Sequence, residues 1–182
     1  MKIEKLKLKG TYEITLAPIN DKRGYFMRAY DKNIFEEHNL INEWVQENQS
    51  LSTNNGIIRG LHFQKPPYSE TKLIRVIQGS ILDVFVDLRR SSPTYGKWDS
   101  IKLSSENQKA VYIPKGFAHG FCTLESPALV FYKVDSPYTP ESEDGLRWND
   151  KKLNISWPAE NPIVSEKDSS WIDFNDFKSP FD

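Results

Sequence analysis

Ile81-Leu82-Asp83-Val84-Phe85-Val86-Asp87-Leu88 is the stretch that decides the fold of this chain. Leu82, Val84, Val86 and Leu88 alternate with Ile81, Asp83, Phe85 and Asp87. A period of two sends successive side chains to opposite faces of a strand, so one fully apolar face is set against a core. Upstream, Gln78-Gly79-Ser80 separates this strand from a second run, Leu73 to Ile77, as a hairpin turn would. Downstream, Ala110 to Ile113 and Ala128 to Val134 read as further strands. Many short strands divided by Gly, Pro and Ser point to an antiparallel sandwich or barrel. The longest helical signal runs only from Asp31 to Leu40, with Asp31 as cap and Ile34, Phe35 and His38 at helical spacing. Pro137, Pro140, Pro158 and Pro162 predict a loop-rich last quarter with short helical turns.

The bulk properties narrow the function. At 182 residues the chain suits one domain with a sound hydrophobic core. A net charge of −1, spread along the chain, offers no bulk attraction to nucleic acid or to an anionic membrane. Any anionic ligand must be held by a local cluster of cations. A lone Cys122 cannot form an intramolecular disulfide, and Met1-Lys2-Ile3 does not open a secretory or transit segment. No apolar run is long enough to span a bilayer. A soluble, cytoplasmic protein is the expectation. Five tryptophans, 8 tyrosines and 10 phenylalanines suit a β-rich fold with aromatic-lined pockets.

Chemistry concentrates in two segments, Arg59-Gly60-Leu61-His62-Phe63-Gln64 and Ile113-Pro114-Lys115-Gly116-Phe117-Ala118-His119-Gly120-Phe121. They carry two of the 3 histidines; the other, His38, lies in the helical stretch and reads as a surface or packing residue. Histidine is the side chain that titrates nearest neutrality, which makes it the default proton carrier or metal ligand. Together with Asp21-Lys22-Arg23-Gly24-Tyr25-Phe26, Gln46 to Ser50, Lys72-Leu73, the Gly79 to Arg89 run, Phe131-Tyr132-Lys133, Trp148-Asn149-Asp150, Trp157-Pro158 and Ser165-Glu166-Lys167-Asp168, these segments resemble the dTDP-4-dehydrorhamnose 3,5-epimerase family of cupin-type sugar-nucleotide enzymes. The ordered motifs span nearly the whole chain.

The resemblance implies an all-β cupin or jelly-roll antiparallel barrel with a few short helices. It implies a homodimer with exchanged strands and no cofactor. The substrate would be a nucleoside-diphosphate 4-keto-6-deoxy sugar of the dTDP-4-dehydro-6-deoxyglucose type. Hydrogens on C3 and C5 of such a sugar are both α to the ketone, so epimerisation needs a base, a cation or donor at O4 and an acid across the ring. By resemblance His62 is the base, Lys72 the cation, Tyr132 the acid, and Asp168 the carboxylate that orients His62. Arg23 and Arg59 match phosphate-binding positions, and a guanidinium suits bidentate contact with phosphate oxygens. Gln46, Asn48, His119, Glu143 and Lys167 fall at substrate contacts. Tyr138 matches a residue that stacks on the nucleotide base, and Phe26 helps to line that pocket. Where the family usually has a glutamate, this chain has Arg28, which puts the identity of the base in question.

Two geometric expectations accompany these assignments. Within 129–134, Tyr132 shares a face with Val130 and Val134, so its hydroxyl can reach into the barrel. Strict alternation puts Arg59 and His62 on opposite faces; both enter one pocket only if the strand is irregular, and Gly60 permits a bulge. Metal-binding cupins carry His-x-His followed by Glu, then a histidine after Pro-x-Gly. Here Pro114-x-Gly116-x-x-His119 fits the second stretch, but the first is His62-x-Gln64 with Glu70 displaced. Glutamine is a poor substitute for imidazole at zinc or non-haem iron, so no metal is expected. Rival readings are a C3-only or C5-only epimerase, a metal-dependent cupin oxygenase or isomerase using His62, Glu70 and His119, and a silent sugar-nucleotide-binding protein.

Overall fold

A computed structural model describes residues 1–182. Its strands are β1 (Lys2–Lys5), β2 (Tyr12–Thr15), β3 (Ile19–Asp21), β4 (Gly24–Phe26), β5 (Gln46–Ser52), β6 (Ile57–Gln64), β7 (Lys72–Asp87), β8 (Trp98–Ser104), β9 (Lys109–Ile113), β10 (Phe117–Val134), β11 (Glu143–Gly145) and β12 (Ile163–Val164). Two short α-helices, α1 (Lys32–Glu37) and α2 (Glu166–Ser170), and a single 3-10 turn over Pro140–Ser142 complete the set. Two long strands, β7 and β10, organise the molecule as a jelly roll. The first half of β7 and the second half of β10 pair with each other and continue outward to β9, β2 and β1 on one side and to β5 on the other. The second half of β7 and the first half of β10 pair in a second layer with β8 and with β6, which carries β11 and β12.

Gln78-Gly79-Ser80 is therefore not a hairpin turn. Both halves of β7 pair antiparallel with the same partner, so the chain bends from one layer into the other without reversing. Gly79 has φ +72, and a Cβ there would lie 2.4 Å from the Glu125 carbonyl oxygen. The ladder slips opposite it, between Thr123 and Val130, around Pro127, which has no N–H to donate. A glycine between two apolar runs looks the same in sequence whether the strand turns back or bends. Only the pairing partner distinguishes them.

The alternation of residues 81–88 separates two cores. Ile81 and Phe85 join the barrel interior with Ile74, Val76, Phe121 and Val130. Val84, Val86 and Leu88 face outward onto Leu146, Leu153, Phe174, Phe177 and Phe181. The apolar face thus does find a core, built by the loop-rich C-terminal part. The other face is buried too, and it carries Asp83 and Asp87 at 0% exposure. Asp87 is held by Arg89, Ser92 and Thr94. Asp83 faces the site described below. The helix is shorter than its pattern: α1 ends at Glu37, Asp31 caps it by accepting from the Asn33 N–H at 3.1 Å, and Phe35 is its buried residue. His38 is exposed, with Nδ1 2.9 Å from the Ile34 carbonyl. No helix is long and apolar enough to cross a membrane.

Candidate active site

Between the two layers lie adjoining cavities of about 500 Å³ and 300 Å³. His62, Lys72 and Tyr132 line both. His62 comes from β6, Lys72 from the start of β7 and Tyr132 from the second half of β10, so the three converge only because the strands belong to different layers. Tyr132 faces inward beside Val130, as alternation predicts.

The bulge expected at Gly60 exists and does two things. Along β10, His119 pairs with His62 and Phe121 with Arg59, so three steps on β6 oppose two on β10. The extra residue turns Arg59 and His62 into the same cavity. It also frees the Gly60 N–H, which donates to Asp168 Oδ2 at 2.9 Å. Gly60 has φ +121 and approaches Gly120 so closely that a Cβ would sit 2.6 Å from the Gly120 Cα. That position requires glycine.

Asp168 lies on α2, capped by Ser165, whose hydroxyl accepts from the Asp168 N–H at 3.1 Å. Its Oδ1 is 2.7 Å from His62 Nε2. Burial pushes the Asp168 carboxyl up, but His62, the Gly60 N–H and the Ser165 contact outweigh it and hold the group below the usual carboxylate range. An ionised Asp168 accepts from Nε2–H and leaves the lone pair on Nδ1. Trp171 packs edge-on against the imidazole, ring centroids 6.4 Å apart.

Lys72 is nearly buried, and its Nζ is 2.8 Å from Glu70 Oε1. Burial alone would push the ammonium's pKa down; the Glu70 carboxylate, with smaller contributions from Tyr132 and Asp83, more than offsets this, so it is raised. A second His–Asp pair faces the first: His119 Nε2 is 2.8 Å from Asp83 Oδ2. Burial pushes the Asp83 carboxyl up despite His119, and its Oδ1 has no partner.

Polar residues close the rims. Arg59 and Lys167 line the larger cavity, and Gln46, Asn48, Tyr138 and Glu143 line the smaller. Glu143 Oε2 accepts from Tyr138 Oη at 2.6 Å and from Lys167 Nζ at 2.7 Å, bridging the two. Gln46 accepts from the Tyr138 N–H at 3.1 Å. Gln64 is a strut: its amide accepts from the Thr139 N–H at 2.7 Å and donates to the Pro137 carbonyl at 3.1 Å, fixing the turn that carries Tyr138. Of the residues that a metal would need, Glu70 faces Lys72, His62 pairs with Asp168 and His119 with Asp83. No group of three His, Cys, Asp or Glu side chains is placed to hold a metal ion.

Three sequence-derived site residues lie elsewhere on this chain. Arg23 and Phe26 sit on the separate β3–β4 hairpin, where Arg23 pairs with Asp21 at 2.6 Å. Arg28 pairs with Asp31 Oδ2 at 3.0 Å, beside the start of α1. Conversely, the sequence motifs do not single out Asp83, which bonds His119, and they offer Glu70 only as a ligand in the metal-dependent rival, whereas it holds Lys72. Asp83 left a signal, a carboxylate flanked by Leu82 and Val84 within the strand. The signal at Glu70 is its place as the displaced cupin glutamate, two residues before Lys72.

A jelly roll whose cavity joins a His–Asp pair, a buried ammonium and a tyrosine defines a cupin-type acid–base enzyme. A sequence model of the dTDP-4-dehydrorhamnose 3,5-epimerase family matches residues 5–176, and the chain belongs to that family. It is 46% identical over 157 residues to the dTDP-4-dehydrorhamnose 3,5-epimerase of Shigella flexneri, covering 86% of each chain. The crystal structure of the enzyme of that name from Elizabethkingia anophelis superposes with TM-score 0.92 at 42% identity, covering 97% of both chains. The dTDP-6-deoxy-D-glucose-3,5-epimerase of Legionella pneumophila, solved in complex with dTDP-4-keto-L-rhamnose, superposes with TM-score 0.92 at 36% identity, covering 97% of this chain and 94% of that one.

Proposed function

We propose that this protein epimerises C3 and C5 of a dTDP-4-dehydro-6-deoxy sugar through an enolate, in deoxysugar biosynthesis. The observation that carries this is the His62–Asp168 pair sharing one cavity with Lys72 and Tyr132. His62 Nδ1 takes the α-proton, and Asp168 stabilises the resulting imidazolium. Negative charge moves to O4, where the Lys72 ammonium stabilises it in a site of low dielectric. Tyr132 then delivers a proton from the other face, which inverts the carbon. Arg59 and Lys167 are the cations within this chain that suit a diphosphate, and Tyr138 offers an exposed ring for a base to stack on.

The family resemblance also supports a homodimer with exchanged strands, and the β3–β4 hairpin is the segment that suits the exchange. Ile19, Tyr25 and Phe26 expose 69%, 58% and 67% of their surface there. Exposed apolar clusters of this kind mark interaction sites. In that arrangement Arg23 and Phe26 of one protomer complete the cavity of its partner. Light scattering and a hairpin deletion test it: a monomer with full activity would end the idea. Residues 1–182 act as one domain in this scheme, because the C-terminal part both covers the outer core and supplies Asp168.

The deciding experiment is proton NMR of 4-keto sugar nucleotides in deuterated water. Uptake at both carbons with inversion is expected; uptake at C3 alone would make the protein a 3-epimerase. Tyr132→Phe should take up deuterium without full inversion, and normal epimer formation in that variant would move the acid to Tyr138.

A further inference from the structure

We propose that Glu70 is a positioning residue that aims the Lys72 ammonium at the reacting oxygen. The inference rests on the epimerase function proposed above. Glu70 precedes β7 and takes no part in the proton transfers, yet its side chain is as sheltered as that of Lys72. One carboxylate oxygen holds Lys72 Nζ at 2.8 Å. The other lies 3.4 Å from Gln64 Nε2, a longer contact that shares the amide's two hydrogens with the Tyr68 carbonyl at 3.0 Å and the Pro137 carbonyl at 3.1 Å. A lysine side chain is long and flexible, so a fixed counterion decides where its charge sits. Of the ammonium's three donors, one is used by Glu70 and the others remain for the enolate oxygen. Glu70 also keeps that ammonium protonated where burial would strip it.

The groups that face Lys72 leave this role to Glu70. Asp83 lies on its own strand, Tyr132 and His119 on β10, His62 on β6 and Glu143 on β11. Tyr132 presents its ring, with the ammonium 5.8 Å from the centroid. Asp83 is already bonded to His119, and Glu143 to Lys167 and Tyr138. Glu70 is the carboxylate in direct contact with Lys72.

Two measurements test the proposal. In Glu70→Gln, kcat should fall by about 10–10²-fold with KM little changed, less than the 10²–10³ typical of deleting an oxyanion donor outright. The alkaline limb of its pH profile should move to lower pH, because an unpaired buried ammonium releases its proton more easily. Glu70→Asp should return the limb toward its original place. Unchanged kcat and profile in Glu70→Gln would overturn the proposal. Carbon NMR of labelled lysines in the unaltered protein reads the same interaction without relying on a variant that folds. Lys72 should titrate above the exposed lysines, and titration below them would equally overturn it. If the unaltered protein exchanges no hydrogen in any 4-keto sugar nucleotide, the epimerase function falls, whereas the lysine titration still reports whether Glu70 governs Lys72.

Discussion

Two histidine–aspartate pairs face the same cavity from neighbouring strands, yet their surroundings differ. His62 and His119 oppose each other across the β6–β10 ladder, and each binds a carboxylate through Nε2, at 2.7 Å and 2.8 Å. Asp168 also receives the bulge N–H of Gly60 and stays ionised. Asp83 is sealed in the strand interior, has one oxygen unpartnered and is driven toward its neutral form. In the proposed reaction the first pair is the one whose ionised carboxylate suits a proton arriving on its imidazole. The second offers its partner less negative charge and suits a ligand contact. Identical residue types therefore differ in charge because one carboxylate collects several donors while the other is fully buried with one oxygen unpartnered.

The sharpest way to break this comparison is to remove each imidazole. His62→Asn should fold normally and lose exchange at both C3 and C5 by about 10²–10⁴-fold. Near-normal deuterium uptake would show that the roles are reversed or shared. His119→Asn should keep exchange and instead raise KM by roughly tenfold, equivalent to about 1.4 kcal/mol of binding. Loss of exchange as deep as in the His62 variant would erase the distinction.

The carboxylates sharpen it through stability. Asp168 has a depressed pKa, so its contribution is present above the unfolded value and is lost as pH falls through the folded one. Asp83 has a raised pKa, so it favours folding in acid relative to higher pH, and that advantage is lost as pH rises from the unfolded value through the folded one. Asp168→Asn should lower the neutral-pH Tm, reflecting about 1.5–3 kcal/mol for a hydrogen bond to a charged group, and reduce activity less than His62→Asn. Asp83→Asn should leave the neutral Tm unchanged or higher. Thermal unfolding across a pH series checks both; equal destabilisation by the two would contradict the contrast. The smallest effect concerns Arg28, tied to Asp31 outside the cavities. Arg28→Ala should leave the order of competition by dTDP, GDP, UDP and CDP unchanged, and an altered order would bring Arg28 into base selection.

What the sequence by itself determined follows from local rules. The alternation at Ile81 to Leu88, the cap at Asp31 and the need for a bulge at Gly60 were all legible, because period, capping and glycine geometry act within a few residues. The family motifs point to His62, Lys72, Tyr132 and Asp168 as one group, and the four line one cavity. Tertiary structure alone decided the rest. Gly79 bends a strand instead of reversing it because Glu125 and Ala128 of β10 lie against it. Glu70 meets Lys72 because the fold brings its carboxylate 2.8 Å from Nζ, and Arg23 lies outside its own chain's cavity because it sits on the separate β3–β4 hairpin. Asp83 and Asp168 diverge because burial and available donors set a carboxylate's charge, and both depend on what distant segments bring against it.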